Sequence, residues 1–172
     1  MPGAGEVGRT AFSVPAGSLG YWLARLEAAK VKGIGTETGF GENRLLFDGP
    51  DGDAFALVED RDDGRQPWDK GGVGDAEAIR GFHSAALRLR DGGRTEELLG
   101  FMGYEPVDVL GNVKRLALKD GNGAHVIDIE TVPGAPAARL GAGSVHHIAF
   151  TVENRARQAE VRKALLDTGY QV

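Results

Sequence analysis

The chain has 172 residues, 41% hydrophobic and 26% charged, which is the composition of a folded, soluble protein of one domain or at most two small ones. Its 20 basic and 25 acidic residues leave a net charge of -5, arguing against the phosphate-binding surface of a nucleic-acid protein. The absence of cysteine excludes disulfides, thiolate nucleophiles and iron–sulfur clusters, and no apolar run or basic leader points to a membrane or export, so a cytoplasmic protein is expected.

Taken in chain order, the first predicted element is a strand over Val7 to Val14. A helix from Ser18 to Lys32 follows, because Leu19, Trp22, Leu23 and Leu26 share one stripe. Ser18 is the expected N-cap and Gly33 the expected stop. Arg44 to Phe47 and Ala54 to Val58 flank the turn-rich run Asp48 to Asp53, which predicts a hairpin. The joint from Arg61 to Ala76 is charged and glycine-rich. Its Asp60, Asp62, Asp63, Asp69 and Asp75 lack calcium-loop spacing and read as solvated, and Trp68 is placed at an interface between units.

The pattern then recurs. Phe82 to Leu89 predicts a strand, Thr95 to Met102 a short helix stopped by Gly103, and Val113 to Leu118 with His125 to Glu130 a second hairpin. After a joint from Val132 to Gly143, Val145 to Val152 predicts a third strand and Asn154 to Thr168 a third helix, capped by Asn154 and stopped by Gly169. Ala11-Phe12-Ser13-Val14 and Ala149-Phe150-Thr151-Val152 superpose without a gap. The chain thus reads as an internal repeat of β-α-β-β-β units. Residues 3–62 and 77–133 form complete units that pair with each other, and residues 143–172 form the first half of a further one. The expected fold class is α+β, with curved sheets carrying helices on their outer faces.

This arrangement resembles the vicinal-oxygen-chelate superfamily of glyoxalases, bleomycin-resistance proteins and extradiol dioxygenases. The nearer resemblance, to hydroquinone-type ring-cleaving dioxygenases, rests on Ala78-Ile79-Arg80-Gly81-Phe82-His83, on Pro133-Gly134-Ala135-Pro136 and above all on Gly141 to Phe150. It implies four units, of which the outer two hold Fe(II) through two histidines and a glutamate, for cleavage of a small aromatic diol with dioxygen. By position His147 would be the metal ligand, and His146 would handle protons or orient substrate. Strand alternation agrees, since bulky Ile148, Phe150 and Val152 would pack on the helix and leave His147 on the concave face. The resemblance places the other ligand histidine before Met1 and the glutamate after Val172. The chain is therefore expected to be an enzyme fragment, inactive alone.

In the complete units Arg9 and Ser84 take the place of His147. Asp128 takes the place of the ligand glutamate in the second unit and Ala56 in the first, so Arg9, Ser84 and Asp128 are vestigial cleft residues. Asp128 is expected to be solvated or to pair with Arg9, and His83 and His125 to be structural. Two alternatives stay open. One is a metal-free small-molecule-binding or scaffold module, and the other is a glyoxalase-type metal-dependent isomerase. The half unit, with an unpaired strand edge, is expected to make a homo-oligomer or a strand-exchanged dimer.

Overall fold

The computed structural model describes residues 3–68, 71–119, 121, 124–145 and 147–169. Eight strands and three helices follow in the order β1 (Glu6–Val14), α1 (Leu19–Ala28), β2 (Gly35–Gly39), β3 (Glu42–Asp48), β4 (Ala54–Glu59), β5 (Gly81–Leu89), α2 (Gly93–Phe101), β6 (Tyr104–Leu110), β7 (Val113–Leu118), β8 (Val126–Thr131) and α3 (Arg155–Asp167). Each complete unit is therefore β-α-β-β-β. The strands form one mixed sheet in the order β2-β3-β4-β1-β5-β8-β7-β6. The first strand of each unit runs parallel to its last, β1 with β4 and β5 with β8, while β1 and β5 pair antiparallel at the centre. This order gives the sheet a two-fold pseudo-symmetry about the β1–β5 pair, with each helix following the central strand of its own unit.

Alternation sorts the side chains of each strand onto two faces. Towards α1, Val14, Leu45 and Leu57 are buried beside Phe12, Leu19, Trp22, Leu23 and Leu26. Towards α2, Leu116, Ile127 and Ile129 pack with Leu99, Tyr104 and Met102. Shielding Leu45, Leu57 and Leu116 almost completely contributes about 2 kcal/mol for each leucine. The opposite, concave face is lined near its centre by Ala11, Ala56 and Val58. These short side chains leave room for longer ones from the outer strands. The sheet curls far enough for a Leu110 methyl to come within 3.4 Å of where a Cβ on Gly39 would stand, so its two edge strands approach.

Several local expectations are corrected. Helix α1 ends at Ala28, four residues before Lys32, because Lys30 turns left-handed with φ 56°. The amide of Val31 then bonds the Leu26 carbonyl and that of Lys30 the Glu27 carbonyl, a Schellman closure built without glycine. Ser18 lies in helical backbone and its hydroxyl donates to the Pro15 carbonyl at 2.6 Å, so it does not cap with its side chain. Asn154 does cap, accepting the Arg157 amide at 3.0 Å. Trp68 is 70% exposed and fills no interface. Asp63 is not solvated, its side chain being only 2% exposed and gripped by Arg65 through Nε and Nη2. Burial pushes its carboxyl up, and the Arg65 guanidinium more than reverses this, holding it below the usual carboxylate range. Asp69 lies outside the described residues.

The largest correction concerns the third strand. Residues 145 and 147–152 adopt no strand conformation and enter no ladder. A strand is held by hydrogen bonds to a neighbour, and no described strand pairs with this segment. It docks instead through side chains. Ile148 packs on the core beneath α2, and Phe150 meets Tyr104 edge-on with ring centres 6.0 Å apart.

A left-handed lysine carries backbone strain that glycine avoids. Lys30→Gly, at an exposed site, should therefore raise stability by about 1 kcal/mol in urea denaturation. No gain would mean that the turn is not strained.

Candidate functional site

The polar groups on the concave face come from both units. Arg115 on β7 faces Asp128 on β8 in the ladder register. Its Nε donates to Asp128 Oδ1 at 2.8 Å and its Nη2 to Oδ2 at 2.9 Å, a bidentate pair with both side chains only 6% exposed. Its third nitrogen crosses to the other unit, where Nη1 donates to Glu42 Oε1 at 2.7 Å. The other oxygen of Glu42 accepts from Arg44 Nη2 at 2.7 Å. Arg44 also reaches Glu37 at 3.3 Å, and Glu37 accepts from Arg9 Nη1 at 2.9 Å. Three guanidiniums and three carboxylates thus alternate from β1 to β8.

His83 joins this network because of a bulge. Along β5, Ser84 pairs with Ala11 and Phe82 with Phe12, so His83 is the extra residue. A bulge re-aims a side chain. Here it places the buried imidazole with Nε2 3.4 Å from Glu42 Oε1 and Nδ1 3.1 Å from the Ser84 hydroxyl.

Above the arginines lies Phe40, at the tip of the β2–β3 hairpin. Its ring centre is 4.2 Å from the Arg115 guanidinium carbon and 5.7 Å from that of Arg44. Phe40 and Gly41 have φ of 55° and 74°, so the two-residue connection is a type I′ turn. Asparagine commonly holds the first of these positions. Phenylalanine there accepts left-handed strain and covers the guanidiniums with an aromatic face.

Glu42 is where the electrostatics converge. Burial acts to raise its carboxyl, but hydrogen bonds from His83, Arg44 and Arg115 outweigh that and bring it from 4.5 down to about 2. Arg115 is likewise penalised by burial and is held charged by Asp128 and Glu42.

The sequence-derived site residues divide accordingly. Asp128 does face the concavity, but it is buried against Arg115 and is neither solvated nor paired with Arg9. The partner of Arg9 is Glu37. Ser84 touches His83. His125 precedes β8 in a cleft with Asp60, Asp62 and Asp63, away from this network. His147 is exposed, in the segment without strand structure, and not on a concave strand face. His146 lies outside the described residues. Sequence reasoning missed Glu42, Arg44, Arg115 and Phe40. For Arg115 a signal was present, because aligning the two strands of the second hairpin sets it directly opposite Asp128.

Do these residues suit a metal ion? Among the described residues no three histidine, aspartate or glutamate side chains stand where they could share one. Glu42 and Asp128 are committed to arginines, whose charge would oppose a cation. The concave face does not fit iron.

No protein-family model matches the sequence. Among solved structures, a Bacillus subtilis protein described as a candidate dioxygenase superposes on 99% of this chain with a TM-score of 0.90 and 33% identity. A mutant of glyoxalase I from Zea mays superposes on 77% with a TM-score of 0.51 and 19% identity, a likeness of fold alone. The chain has the vicinal-oxygen-chelate fold. In sequence, this vicinal-oxygen-chelate module is 34% identical over 98% of its length to chlorohydroquinone/hydroquinone 1,2-dioxygenase of Sphingobium indicum. It is also 34% identical over 99% to MhqO of Bacillus subtilis, named as a candidate ring-cleaving dioxygenase. It spans 54% of the length of each of these two relatives.

The depressed carboxyl of Glu42 makes stability depend on pH. Its contribution is fully present above the unfolded value of 4.5 and is lost as pH falls through about 2. A shift of that size is worth about 3 kcal/mol. Glu42→Gln should therefore be less stable than the parent by about 3 kcal/mol near neutral pH. The gap should narrow steadily as urea titrations are repeated down to about pH 3. A gap that does not change with pH would remove Glu42 from the account.

Proposed function

We propose that this chain is the scaffold portion of a ring-cleaving dioxygenase and does not cleave rings by itself. The observation that carries this reading is the charge-paired network on the concave face. The polar side chains gathered there by both units neutralise one another, so they offer neither an open metal position nor a free base. The similarity over nearly the whole chain to ring-cleaving dioxygenases supports the family of the activity. The share of those proteins that the chain spans supports a part rather than the whole. On this reading the substrate of the complete enzyme is a small aromatic diol. The centre that holds Fe(II) there needs donors beyond this chain, with His147 as its ligand and His146 as the group that handles protons or orients substrate. A glyoxalase-type isomerase needs the same missing donors.

The test is oxygen consumption by the purified 172-residue chain, supplied anaerobically with Fe(II) and then with hydroquinone or catechol. Uptake should not exceed that of Fe(II) in buffer, and dialysis against a chelator should leave far less than one iron per chain. Turnover, or stoichiometric iron after dialysis, overturns the proposal.

The same reading includes self-association. Phe150 is 43% exposed although its ring meets Tyr104, and Val107 and Val109 are exposed on the edge strand β6. Sedimentation should show a mass that rises with concentration. A single monomeric species over a wide range would exclude this.

A further inference from the structure

The groups around the Glu42 carboxylate do not depend on it for their positions. Arg115 is fixed by its bidentate pair with Asp128 and by the Phe40 ring over its face. Arg44 has a second carboxylate partner in Glu37. His83 is aimed by the β5 bulge and has the Ser84 hydroxyl on its other nitrogen. All three side chains are 10% exposed or less. If the Glu42 side chain were removed, two guanidinium N–H groups and an imidazole nitrogen would still converge on one largely shielded place, lacking an anion. Buried donors of this kind make strong, charge-assisted bonds to whatever carboxylate fills the gap.

We propose that the concave face contains a preformed seat for a small monocarboxylate, which the chain occupies with its own Glu42. The two oxygens of Glu42 are addressed separately, Oε1 by Arg115 and His83 and Oε2 by Arg44. A planar anion with two acceptor atoms matches that division, whereas chloride offers a single centre. The size is also defined, because glutamate and alanine differ by CH2–COO⁻, the heavy atoms of acetate. In the unaltered chain the seat is full, and a free carboxylate has no place in it. This assignment stands whether or not the chain serves a dioxygenase.

The experiment is thermal unfolding of Glu42→Ala in sodium acetate and in sodium chloride at matched ionic strength. The variant should melt below the parent in chloride. Acetate should restore most of that loss in a saturable way, with half-saturation on the order of millimolar. The unaltered chain should melt alike in both salts, and Glu42→Gln, whose amide fills the seat, should gain nothing specific from acetate. Should Glu42→Ala fail to fold in chloride, the readout becomes the yield of folded protein after refolding in each salt, and acetate should raise it several-fold. The proposal is overturned if acetate helps the variant no more than chloride does. It is equally overturned if the parent gains as much from acetate as the variant, or if neither salt allows the variant to fold.

Discussion

One carboxylate, partly withdrawn from water between two arginines and a histidine, connects the two ends of this sheet. Along the backbone the units are joined at the central β1–β5 pair. Across the concave side the Glu42–Arg115 bond links residues 73 apart in sequence. Burying charges costs several kcal/mol per ion, so such a bond adds little stability compared with a well-packed apolar contact. Its effect is on geometry. Arg115 can meet Asp128 and Glu42 at the same time only when β7, β8 and β3 hold their observed registers and the sheet has its observed curl.

The rest of the concave face accommodates that requirement. Alanines at positions 11 and 56 keep the centre shallow, so that arginine side chains can lie across it. The bulge that turns His83 inwards interrupts the β1–β5 ladder between Ala11 and Phe12. The Phe40 turn accepts an unfavourable backbone conformation and places a ring over two guanidiniums, where a more ordinary turn residue would leave them open to solvent. Backbone strain of this kind persists where surrounding contacts over-determine it.

Much of the fold was legible because it follows from periodicity. The Leu19, Trp22, Leu23 and Leu26 stripe gave α1, and the Asp48 to Asp53 turn gave the β3–β4 hairpin. The recurrence of strand, helix and hairpin gave the repeated β-α-β-β-β unit. The segment around Ile148 was misread because alternation records which faces are apolar, not whether a neighbouring strand is there to pair with. Glycine was taken as the end of α1 although the chain had already reversed at Lys30, a choice that local residue preference does not encode. The concave network was harder still. Glu42, Arg44 and Arg115 look like ordinary solvated charges in sequence, and only the curl of the sheet brings β3 against β7. Asp128 was placed on the correct face, yet its partner could be named only from the hairpin register.

The contact between the start of the chain and the second joint has a consequence for synthesis. Ala4 bridges in parallel to Ala137, with its amide on the Pro136 carbonyl and its own carbonyl receiving the Ala138 amide. While a ribosome is still making the second unit, the finished first unit has β1 with an open inner edge and Glu42 without Arg115. The edge of β1 is covered only once β5, ending at Leu89, has emerged, and Glu42 waits for Arg115, 73 residues further along, closures of long sequence separation that slow folding. The nascent first unit is then a half-made object that chaperones would be expected to hold, and the two halves should acquire their native order together, late, and in one step.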